Sequence, residues 1–100
     1  MLKHIVMFRF KEEAQNSTKS ENMGIVKDLL MNLPKQIEQI REYEIGINCS
    51  FSPTAYNMVL ISAFDDENSL NIYRKHPAHL SVLNTINNVC SELAVVDYYI

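Results

Sequence analysis

One hundred residues, 47% of them hydrophobic and 21% charged, lead us to expect a single soluble domain over 1–100 with a modest core. A formal net charge of −3 argues against a nucleic-acid partner, which would require a basic patch to displace counterions from phosphates. No apolar run approaches the roughly 18 residues that span a bilayer, so no membrane partner is expected.

The chain opens MLKHIVMFRF, which alternates apolar and polar residues and carries Lys3, His4 and Arg9. It does not read as the apolar core of a signal peptide, and a cytoplasmic location is expected. From Lys3 to Lys11 the period is two, the mark of a strand. His4, Val6, Phe8 and Phe10 share one side, Ile5 and Met7 the other. Both faces are apolar enough to need cover. The polar stretch that follows reads as a loop up to Thr18. Thr18 and Glu21 then form a capping-box pair. Met23, Val26, Leu30 and Leu33 follow at helical spacing, widened by Ile25 and Leu29. Pro34 is expected to end this helix, and Gly24 inside it suggests a close approach to the sheet.

Tyr43–Cys49 alternates again, with Tyr43, Ile45, Ile47 and Cys49 on one face and polar residues on the other. That pattern suits an edge strand. A turn-rich connection leads to a third strand, Asn57–Phe64, apolar on both sides. Asp65-Asp66 can cap a second helix, with Leu70 and Tyr73 as its buried stripe. This helix stops at His76-Pro77. A further helix from about Ala78 to Val89 carries Leu80, Leu83 and Ile86 at helical spacing, and LAVVDYYI closes the chain as a fourth strand.

The fold class that follows is α+β: a ferredoxin-like split βαβ, with a four-stranded antiparallel sheet and helices on one face. The first and third strands, expected at the centre, are apolar on both faces. A bare outer sheet surface of this kind is rare on soluble monomers. A homodimer joined sheet to sheet would cover it.

Pro77 places Tyr73 in the last turn of one helix and His79 in the first turn of the next. The break allows both to turn toward one point. The positive end of the helix dipole disfavours imidazolium at His79, leaving it neutral and able to accept a proton. Tyr73 offers a hydroxyl that could polarise a carbonyl oxygen. His4 is a third candidate, if its face of the first strand looks at the helices. The structural alternative stands beside this one, because a histidine at a helix break also serves as a cap, and a tyrosine spaced from Leu70 also serves as core. His76 reads as a helix C-terminal residue interacting with the last carbonyls. Arg74-Lys75 reads as a solvated helix face, the other possibility being charge at a pocket mouth that favours an acidic ligand. Asp97 is a charge in an apolar strand, paired, exposed at an edge, or orienting a histidine.

Three histidines on separate elements could bind a metal, but no close carboxylate partner is evident, and no metal is expected. Cys49 and Cys90 form no CxxC pair and read as two reduced thiols. With only Gly24 and Gly46 there is no Gly-rich phosphate loop, and neither GxSxG nor HExxH occurs. No cofactor is expected.

The segments KHIVMFRFK, EIGIN, SAF, YRKHPAH and VVDY, taken together, resemble the stress-responsive A/B barrel domain (Dabb) family across nearly the whole chain. The resemblance implies a dimeric α/β barrel made of two ferredoxin-like subunits joined through their sheets. Most members of the family have no assigned reaction, and some are stress-induced. A plant member is a polyketide cyclase that uses a His–Tyr pair. By motif, the resemblance implies His79 as its catalytic histidine, Tyr73 as its tyrosine and His4 as the histidine near its start. Two functions are then open. One is a dimeric stress-responsive protein that binds a small apolar or carbonyl-containing ligand between sheet and helices. The other is a cofactor-independent cyclase, isomerase or lyase. A haem-degrading oxygenase of the wider barrel superfamily ranks lower, since the chain lacks tryptophan and any haem motif.

Overall fold

Alternation along the first strand sets the layout. In the computed structural model, which describes residues 1–100, Leu2, His4, Val6, Phe8 and Phe10 of β1 (Leu2–Phe10) are buried, and the residues between them are less so. The other long strands are β4 (Glu42–Ile47), β5 (Met58–Phe64) and β6 (Cys90–Tyr99). They form one sheet in the order β4-β5-β1-β6, with every neighbouring pair antiparallel. Three helices, α1 (Lys19–Met31), α2 (Glu67–Lys75) and α3 (Pro77–Val89), complete the ferredoxin-like α+β arrangement.

Directly opposed residues in antiparallel strands point to the same face. His4 lies opposite Ser62 on β5 and Asp97 on β6, and Val6 lies opposite Leu60 and Val95. These residues, with Tyr43 and Ile45 of β4, make the inner face. It packs under Val26, Leu30, Leu70, Tyr73, Val82, Ile86 and Val89 of the helices. The outer face carries Ile5, Met7, Val59, Ile61, Ala94, Val96 and Tyr98. No helix covers it, and Val96 is 54% exposed. Its margins hold Lys3–Glu42 and Arg9–Glu92 ion pairs.

The capping box is formed. The Glu21 amide donates to Thr18 Oγ1 at 3.2 Å, and Glu21 Oε1 accepts from the Thr18 amide at 2.9 Å. Several local expectations are corrected. The stretch before Thr18 is a tiny hairpin of β2 (Glu13–Ala14) and β3 (Ser17–Thr18). Its two central residues, Gln15 and Asn16, have φ of 54° and 59°. A tight hairpin turn demands such values, and glycine usually signals them. The first helix ends at Met31, and Pro34 sits within a separate 3-10 turn, Leu33–Lys35. Gly24 faces open space, so nothing approaches it closely. On α3 the buried stripe is Val82, Ile86 and Val89, while Leu80 is 51% exposed. The last strand begins at Cys90, directly after α3, rather than at Leu93. No helix is long and apolar enough to cross a membrane.

Candidate functional site

The segment YRKHPAH is a joint between two helices, and its hydrogen bonding follows from what Pro77 removes. In a continuous helix the residue-77 amide would donate to Tyr73, and that of Ala78 to Arg74. Proline has no amide hydrogen, and the Tyr73 carbonyl accepts from the His76 amide instead. The Ala78 amide donates to His76 Nδ1 at 3.1 Å. His76 thus sits at the C-terminus of α2 as expected, bonding a last carbonyl through its amide, and its side chain in addition caps the start of α3. The Arg74 carbonyl, left without a helical donor, accepts from Nδ1 of His79 at 3.1 Å.

This bond fixes the His79 tautomer. With the proton on Nδ1, the Nε2 lone pair is the free one. Burial pulls the His79 pKa below its ordinary 6.5, opposed by the bond to the Arg74 carbonyl and helped by the nearby His4, Arg74 and His76. The ring is neutral at neutral pH. The helix-start position was the expected cause, but burial is the leading one.

His4 is almost fully buried on β1, and its Nδ1 lies 2.5 Å from Asp97 Oδ1. The other Asp97 oxygen accepts from Arg74 Nη2 at 2.7 Å. Asp97 is thus the carboxylate partner that the linear order hides, and Arg74 belongs to this cluster rather than to a purely solvated face. Tyr73 is buried in the last turn of α2, and its ring centroid is 4.3 Å from that of His79 and 6.2 Å from that of His4. Its hydroxyl is 2.9 Å from that of Tyr43 on β4. Burial pushes the Tyr73 pKa up to about 12 and that of Tyr43 higher still. Both stay protonated, and the Tyr73 hydroxyl is shared with Tyr43.

His4, Tyr73 and His79 line one cavity of about 340 Å³, together with Val6, Phe8, Leu83, Ile86 and Val95. Apolar side chains dominate the lining, and Arg74 is its only charged member. The cavity exists because the helices do not reach across β6, whose inward-facing Val95 stays 55% exposed. Its volume lies at the small end of the range for small-molecule sites, roughly 300–1,000 Å³. The three residues converge on one space, but no hydrogen bond joins them to each other. No three His, Cys, Asp or Glu side chains are grouped to hold a metal ion.

Residues 2–100 match the Stress responsive A/B Barrel Domain (Dabb) family. This chain belongs to that family. An uncharacterised protein of Streptomyces coelicolor is 33% identical over 79 residues, which is 79% of each chain. A dimeric Bacteroides fragilis protein of unknown function and ferredoxin-like fold is 30% identical, with a TM-score of 0.85 over 99% of this chain and 95% of that one. A hydroxynitrile lyase of Passiflora edulis has a TM-score of 0.84 over 99% of this chain and 92% of that one, at 18% identity. That last likeness is one of fold. This fold is thus shared by a protein of unknown function and by one with a named activity.

Proposed function

We propose that this Dabb protein is a homodimer, and that each protomer binds a small, mainly apolar, carbonyl-containing molecule between β6 and the α2–α3 pair. The single observation that carries the binding reading is the cavity of about 340 Å³ beside a histidine whose outward nitrogen has no protein partner. An apolar pocket with a few convergent polar groups is the usual form of a ligand site. The dimer reading rests on the uncovered outer face and on the dimeric state of the Bacteroides relative. Titration with methyl hexyl ketone, followed by amide NMR, tests the pocket. Shifts confined to Leu83, Ile86, Leu93, Val95 and their neighbours support it, and an unchanged spectrum at saturation rejects it.

A second reading, proton transfer, is favoured by the fixed neutral tautomer of His79. In this reading Nε2 takes a proton from the carbon beside the ligand carbonyl. The electron pair of the broken C–H bond moves onto the carbonyl oxygen, and His79 becomes imidazolium until it returns the proton. If Tyr43 donates within the tyrosine pair, the hydrogen of Tyr73 is free to bond the developing oxyanion, and His4 positions the substrate. Such a site would serve a cofactor-independent isomerase, lyase or polyketide-cyclase-like enzyme. Deuterium uptake by the ketone in heavy water tests it: uptake above the buffer rate must disappear in His79→Gln.

A further inference from the structure

Arg74 is the one permanent charge on the cavity wall. Its guanidinium has five N–H donors. One bonds Asp97 Oδ2 at 2.7 Å and one bonds Asn71 Oδ1 at 3.3 Å, which leaves three without a protein partner. The side chain is 43% exposed, so those donors are reachable. Asp97 is itself held by His4, and its other oxygen ties one guanidinium nitrogen to β6. The donors that Asp97 and Asn71 do not use are the ones left for a ligand in the cavity that Arg74 lines. Beyond Arg74 the lining is apolar, from Val95 and Leu93 on β6 to Leu83 and Ile86 on α3. Within the reading of this cavity as a ligand site, we propose that the preferred ligand is a carboxylic acid with an apolar body, its carboxylate held by the free donors of Arg74.

The neighbouring charges limit the size of the effect. Asp97 offsets the charge of Arg74, so the preference comes from directed N–H···O bonds more than from net charge. Because the guanidinium is partly exposed, the gain is screened by salt. A preference of about tenfold over an uncharged analogue is the expected scale. Lys75, the next residue on α2, is not part of the lining and supplies an internal control.

The test is calorimetric titration of the full-length protein at low salt with octanoate, octanol and methyl hexyl ketone. Octanoate should bind about tenfold more tightly than octanol. Arg74→Gln should erase that preference, so that octanoate binds no more tightly than octanol, and Lys75→Gln should alter nothing. Equal affinities for octanoate and octanol, or a preference that survives Arg74→Gln, would overturn the assignment while leaving the pocket reading intact. If none of the three probes binds, both readings fall.

Discussion

His79 donates its Nδ1 proton to the carbonyl oxygen of Arg74, 3.1 Å away, and so repairs the hydrogen-bond gap that Pro77 opens between α2 and α3. One ring therefore does two things. Its Nδ1 side belongs to the joint, and its Nε2 side belongs to the cavity. The structural reading of YRKHPAH is met by the Nδ1 side, and the proposed chemistry would use only the Nε2 side, so the two readings do not exclude each other.

A pH dependence follows with a definite sign. The folded-state pKa of His79 is lowered from 6.5, so the unfolded chain binds this proton more readily. The His79 contribution to stability is present above 6.5 and is lost as pH falls through the depressed folded value. Urea unfolding of wild type and His79→Gln as a function of pH should show the wild type losing stability faster on the acid side of 6.5. Parallel curves would contradict this.

Asp97→Asn removes the shared partner of His4 and Arg74. His4 is buried, whereas Arg74 reaches water and can find a new partner there. The expected loss is about 1–2 kcal/mol. For a chain of this size, each kcal/mol corresponds to a fall in Tm of roughly 4–8 °C. Calorimetry of the variant checks this, and an unchanged Tm would show that the cluster contributes nothing to stability.

Tyr43→Phe leaves the buried Tyr73 hydroxyl without its 2.9 Å partner. The cost should be about 1–2 kcal/mol. Tyr73→Phe should cost a similar amount, and the double variant less than the sum, because each single change already breaks the same bond. Strict additivity in a double-mutant cycle would show that the two hydroxyls do not interact.

Val96→Lys places a charge on the outer face, next to Ile5 on β1. The site is half exposed in the protomer, so folding should survive. Sedimentation at micromolar concentration should give a dimer for wild type and a monomer for the variant. A monomeric wild type would remove the dimer from the account.

The fold was legible because period-two alternation separates inner from outer face residue by residue, as at His4, Val6, Phe8 and Phe10. The order of strands and helices then pointed to the split βαβ arrangement, with the first and third strands at its centre. Asp97 could be read as a charge that orients a histidine, but not that the histidine is His4. The two residues lie 93 positions apart, and their meeting depends on the β1–β6 register, which alternation alone leaves open. Tyr43 was hidden for a similar reason: its place beside Ile45 marks it as inward-facing, but nothing local names Tyr73 as its partner. The hairpin at Gln15 and Asn16 escaped because no glycine marks the turn. The phase of α3 was misjudged at Leu80 because its stripe is set by contact with the sheet and α1. The cavity itself is a mismatch between helix coverage and the width of the sheet, a property of packing rather than of any motif.

The most direct test of the central claim is long-range proton–nitrogen NMR of the histidine rings, recorded at neutral pH with and without methyl hexyl ketone. The account predicts that His79 is neutral with its proton on Nδ1, and that its Nε2 resonance shifts as the ketone fills the cavity. A proton found on Nε2, or a His79 ring unmoved at saturating ketone, would contradict it.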